Sequence, residues 1–122
     1  MITNNYLRKL FEYDDRDIIL CQILEYVRVK DSTFFYKISL EPQEELLSEE
    51  ERYFLVCLAV LVKYKSSTYP GWMDKKHLMY DAPVFYNKKH ITQQQMQELV
   101  INAPDAFKKH NLYFLLEGLE RR

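Results

Sequence analysis

Phe54-Leu55-Val56-Cys57-Leu58-Ala59-Val60-Leu61-Val62 is an unbroken run of nine apolar residues, and it follows directly on Ser48-Glu49-Glu50-Glu51. Ser48 and Glu51 have capping-box spacing: the hydroxyl accepts from the third helical amide while the glutamate reaches back to the cap. The three acids also complement the positive end of a helix. This predicts a helix over Glu49 to Tyr64 with apolar side chains on every face, a helix that must be surrounded by others. Nine residues are about half of the roughly 18 to 20 needed to span a bilayer, so the run reads as a core helix. With two glycines in 122 residues, a loop-rich or all-β architecture is disfavoured. The expectation is one all-α domain over residues 1–122, a small bundle around one buried central helix.

The flanking elements follow from periodicity and caps. A first helix is expected from Asn5 to Tyr13, broken at Asp14-Asp15. Asp14 or Asp15 then caps a second helix, in which Ile18, Ile19, Ile23, Leu24 and Val27 recur at helical spacing up to about Lys30. Phe34, Tyr36, Ile38 and Leu40 alternate with period two, the signature of a strand, but a single strand has nothing to pair with. Residues 32–47 are therefore read as an extended connector. Thr92-Gln93-Gln94-Gln95 repeats the capping-box logic and opens a helix to Asn102, with Met96, Leu99 and Val100 inward. Pro104 starts a short helix carrying Phe107, and Leu115 to Leu119 forms a last apolar turn. Met1 to Lys9 holds no apolar stretch of the secretory kind, so a cytosolic protein is expected, without membrane association.

Three of the four prolines and the only tryptophan fall in the second half, in Tyr69-Pro70-Gly71-Trp72, Ala82-Pro83-Val84-Phe85-Tyr86 and Asn102-Ala103-Pro104-Asp105-Ala106-Phe107. Proline fixes φ and removes a donor, so each unit pins a bend against an aromatic anchor. This irregular segment should wrap over the central helix, with the 93–102 helix closing the other side. Tyr69, Trp72, Tyr80, Phe85 and Tyr86 are the candidate partner-binding residues, because interfaces are rich in such rings. The same rings can equally plug a core beneath a long loop.

All three histidines sit in one local context, Lys75-Lys76-His77, Lys88-Lys89-His90 and Lys108-Lys109-His110, with aromatics nearby. Lysines that neutralise phosphate beside rings that stack on bases are what a nucleic-acid surface uses. A solvated charged face yields the same pairs. Residues 1–62 hold seven Lys or Arg against twelve Asp or Glu, a balance of −5, and residues 63–122 hold ten against six, a balance of +4. A half with +4 falls short of the strongly basic domains that bind nucleic acid. The histidine spacings match no local zinc motif, and the paired cations repel a dication, so neither metal nor cofactor is expected. Asp14-Asp15-x-Asp17 lacks the glycine turn and distal glutamate of a calcium loop. No nucleophile elbow, phosphate loop or H-E-x-x-H helix is present, which leaves no catalytic residues to name. Cys21 and Cys57 lie inside apolar runs and read as packing residues. Glu44, Glu45, Glu49, Glu50 and Glu51 form an acidic cluster that solvates a helix entrance or docks a basic partner.

Taken together, Pro70-x-Trp72, Leu78, Pro83-x-Phe85, Asn102 to Phe107, Lys108-Lys109-His110-Asn111-Leu112-Tyr113 and Leu119-Glu120-Arg121 resemble a bacterial domain without characterised activity. That domain occurs as a C-terminal extension of helix-turn-helix regulators, or as a small stand-alone protein in toxin–antitoxin-like gene pairs beside a nucleotidyltransferase-like partner. The resemblance covers about residues 52–120. Residues 1–47 depart from it, since no glycine-containing tight turn joins two short amphipathic helices there. The resemblance implies a regulatory, antitoxin-like or defence-related role and supplies no catalytic residues. The function expected is thus non-catalytic protein binding, with self-association left open. Nucleic-acid binding through Lys75, Lys76, Lys88, Lys89, Lys108 and Lys109 is the alternative.

Overall fold

The computed structural model describes residues 1–40 and 46–116. Ser48 caps the longest helix as expected: its hydroxyl accepts from the Glu51 amide at 3.1 Å, and the Glu51 carboxylate accepts from the Ser48 amide at 3.0 Å. The same carboxylate accepts the Ile2 amide at 2.7 Å, tying the chain's start to this helix. The described helices are α1 (Asn5–Phe11), α2 (Arg16–Arg28), α3 (Ser32–Ser39), α4 (Glu49–Lys65), α5 (Gln93–Asn102) and α6 (Asp105–His110). Every residue from Phe54 to Val62 is buried, so α4 is the pillar around which α2 and α6 pack. The domain is all-α; its only strands among the described residues are β1 (Val84–Phe85) and β2 (Leu112–Tyr113), paired in parallel with Val84 opposite Leu112.

Local signals set most boundaries. Asp15 caps α2 through the Asp17 and Ile18 amides. Thr92 and Gln95 close the second capping box on α5. Pro104 precedes α6, which buries Phe107. α1 stops two residues short of Tyr13, and α2 ends at Arg28, where Lys30 takes the left-handed conformation (φ 54°). The Asp31 amide then reaches back to the Tyr26 carbonyl at 2.9 Å and the Lys30 amide to Val27 at 3.1 Å. This is a Schellman ending with lysine where glycine is usual.

Two expectations need correction. Residues 32–39 are helical, not extended: Asp31 accepts the Phe34 amide at 2.9 Å as an N-cap, and Phe34 and Ile38, one turn apart, are the buried pair. The helix lasts only about two turns, and side chains from distant elements satisfy its terminal carbonyls. The Asn4 amide donates to Lys37 at 3.0 Å and to Leu40 at 2.8 Å, and the Trp72 indole donates to Ile38 at 2.9 Å. The second correction concerns α5, which has no fully buried residue and packs extensively against no other described element. Met96, Leu99 and Val100 are half-buried, and it is α6 that closes the far side of α4. Residues 40, 46 and 47 of the expected connector are outside any helix or strand, as expected; residues 41–45, which include Glu44 and Glu45, and most of the turn Leu115 to Leu119 lie outside the described residues.

Candidate functional site

The chain from Pro70 to Tyr86 runs across α4 and is zipped to the end of α6. The Tyr80 amide donates to His110, the Val84 amide to Asn111 and the Tyr86 amide to Tyr113, at 3.0, 2.9 and 2.9 Å. Asn111 makes this possible by turning left-handed after α6, at φ 58°, and its side-chain amide donates to the Tyr80 carbonyl. The Arg52 guanidinium of α4 donates to the His77 carbonyl at 2.6 Å and lies 4.6 Å over the Tyr80 ring. The segment is therefore held by backbone and cation–π contacts along its length.

On this frame the five candidate rings divide. Trp72 is core: it is 7% exposed and its indole nitrogen is spent on Ile38. The expectation that Trp72 presents itself to a partner is corrected by that burial. Tyr69, Tyr80, Phe85 and Tyr86 are half-buried and pack against the core with part of each residue in solvent. Tyr86 stacks on Phe114 at 5.0 Å and Phe85 lies 5.6 Å from Tyr113, so much of the unusual aromatic content fills space between α4, α6 and β2.

The three Lys-Lys-His triplets, alike in sequence, are unlike in space. His77 and His90 are exposed on 3₁₀ turns; His110 is fully buried. Lys75, Lys76, Lys88, Lys89 and Lys108 are exposed, whereas Lys109 bonds Asp74 at 2.8 Å.

His110 belongs to a polar cluster that sequence reasoning missed. Its Nδ1 lies 2.7 Å from the Leu78 carbonyl and its Nε2 lies 2.9 Å from Nζ of Lys63. A carbonyl only accepts and an ammonium only donates, so Nδ1 carries the proton and Nε2 is bare: the ring is neutral. Burial, aided by the charges on Lys63 and Lys109, pushes His110 down to about 4. The Lys63 side chain is 5% exposed, and its three protons reach His110, the Met73 carbonyl at 3.2 Å and Asp74 Oδ1 at 2.5 Å. Burial lowers the Lys63 pKa and Asp74 opposes it. Asp74, bonded by Lys109 and Lys63 and approached by the Tyr69 hydroxyl at 3.3 Å, is held down at about 2. Lysine, carboxylate and histidine are each committed to the others or to backbone. The cluster therefore fastens α4, the 71–74 turn and α6 together. The one signal in the sequence was a lysine continuing directly from an all-round apolar run.

Among the described residues no group of three His, Cys, Asp or Glu is placed to hold a metal ion, and no helix is long and apolar enough to cross a membrane. Comparison with protein-family models, with curated proteins and with solved structures finds no match to this chain.

Proposed function

We propose that the chain is a non-catalytic, protein-binding regulatory protein, antitoxin-like or defence-related, whose partner is a nucleotidyltransferase-like protein. The observation that carries this reading is the hydrogen-bonded frame that holds Tyr80, Phe85 and Tyr86 half in the core and half in water, with half-buried Tyr69 just before it. Rings fixed in this way have already lost their rotamer freedom, so a partner that covers their exposed parts gains apolar area at little entropic cost. The commitment of Lys63, Asp74 and His110 to one another supports a role without chemistry. The unequal charge of the two halves favours a partner steered by electrostatics.

The test is co-expression with the nucleotidyltransferase-like product of an adjacent gene. Tyr80→Ala combined with Phe85→Ala should weaken co-purification at least about tenfold, as loss of central anchors does, while the helical signal is kept. Undiminished co-purification would sink the assignment of this surface. A second reading rests on Lys88, Lys89 and His90, all exposed on one 3₁₀ turn, a compact patch for backbone phosphates. It makes a separate demand, a salt-sensitive complex with nucleic acid.

A further inference from the structure

The start of α2 and the middle of α4 border a pocket of about 200 Å³ whose lining shares no residue with the Lys63 cluster. Leu20, Phe54 and the Tyr53 ring give it apolar walls, and the buried Cys57 and the exposed Asn87 also line it. Arg16 enters it half-buried.

The donors and acceptors of this pocket are unbalanced. The Tyr86 hydroxyl is spent on the Asp17 carboxylate. The Tyr53 hydroxyl turns to the Cys57 thiol, and burial raises the pKa of both groups, which keeps them protonated. Arg16 lies 5.3 Å over the Phe11 ring, but among the described residues its guanidinium has no carboxylate and no hydrogen-bond acceptor. Asp17, its neighbour in sequence, makes no ion pair with it, its carboxylate being engaged by the Tyr86 hydroxyl. The Asn87 side chain is likewise without a hydrogen bond among the described residues. What is left over is a five-donor cation and an amide beside an apolar wall, with no unspent carboxylate in the lining. A half-buried guanidinium that only donates calls for an anionic acceptor, and its planar fork matches a carboxylate bidentately.

We propose that this pocket binds a small organic monocarboxylate, its two oxygens on the Arg16 guanidinium and its apolar body between Leu20, Phe54 and the Tyr53 ring. Size limits the ligand: the volume is below the roughly 300 Å³ at which drug-sized sites begin, and equals about seven waters at ~30 Å³ each. Charge limits it too. One cation against a mostly apolar lining matches a monoanion, whereas a phosphate dianion would enter with half its charge unmet. The pocket shares Tyr86 with the protein-binding surface, but its ligand follows from Arg16 and the apolar lining and does not rest on that reading.

The experiment is a ¹H–¹⁵N titration of the full chain with benzoate, and in parallel with benzyl alcohol as its neutral counterpart and with inorganic phosphate. Benzoate should shift the amide signals of Arg16, Leu20, Cys57 and Asn87 saturably, with benzyl alcohol and phosphate weaker by about tenfold or more. Arg16→Gln should weaken benzoate by about tenfold and leave benzyl alcohol unchanged. The comparison of ligands on the wild-type chain needs no variant and decides the matter even if Arg16→Gln does not fold. The proposal is overturned by no saturable shift with benzoate at millimolar concentration, by equal shifts with benzyl alcohol, by tighter binding of phosphate, or by shifts confined to the exposed lysines.

Discussion

The Nζ of Lys63 and the Nε2 of His110 lie 2.9 Å apart, 47 positions apart in sequence, and the lysine donates a hydrogen bond to a histidine the fold keeps neutral. Two groups that would repel as cations are joined because only one of them is charged. The neighbours that set this balance are Lys109 and Asp74 on the same cluster and the Leu78 carbonyl behind the ring.

Stability should therefore fall on mild acidification. The folded pKa of His110 is depressed from 6.5 to about 4, so the unfolded chain binds the extra proton between these values. The contribution is complete above pH 6.5, is lost progressively as pH falls toward about 4, and does not change further below that. Unfolding free energies from urea titrations across this window should drop by an amount on the order of 2 kcal/mol, and His110→Gln should flatten the slope there. A wild-type profile that is flat from pH 6.5 to 4 would contradict the buried neutral ring.

Lys63→Ala should cost about 2–4 kcal/mol, because it leaves the Met73 carbonyl and His110 Nε2 without a donor in a buried place. Chemical denaturation measures this directly, and a cost under about 0.5 kcal/mol would mean the cluster is solvated.

Trp72 offers a graded pair. Trp72→Phe removes the indole donor to Ile38 and one of the two fused rings and should cost about 1–2 kcal/mol, whereas Trp72→Ala opens a much larger cavity and should cost about 3–5 kcal/mol. Equal, small losses for both would place the ring at the surface after all.

Leu58→Asp puts a charge at a position with no exposure inside α4 and should abolish cooperative folding, a loss beyond about 5 kcal/mol. Circular dichroism with size-exclusion chromatography would register it.

Lys30→Gly should raise the melting temperature. A left-handed lysine carries a steric penalty of about 1 kcal/mol that glycine lacks, and the hydrogen bonds of that turn use backbone alone. An unchanged or lower melting temperature would show that the Lys30 side chain contributes more than its backbone costs.

The sequence by itself determined α4, α2, α5 and α6, because each is announced by groups that act within one turn: Ser48 with Glu51, Asp15 with Ile18, Thr92 with Gln95, and Pro104 ahead of Phe107. It also determined that α4 lies at the centre, since nine apolar residues with no polar face have no other place. The tertiary structure decided Trp72 and His110, and it settled α3, whose local cap at Asp31 competes with a strand-like pattern. The period-two pattern at Phe34 to Leu40 suits a strand, and the helix is chosen by Asn4 and Trp72, whose side chains occupy carbonyls more than thirty residues away. Three identical Lys-Lys-His triplets become two exposed turns and one buried staple because the α6 register points His110 at Lys63. The Arg16 pocket was equally invisible, as it exists only where α2, α4 and Asn87 meet. Local hydrogen bonds are written in neighbouring residues. The partner of a buried donor or acceptor is set by how helices pack, and a single chain read in order does not contain that distance.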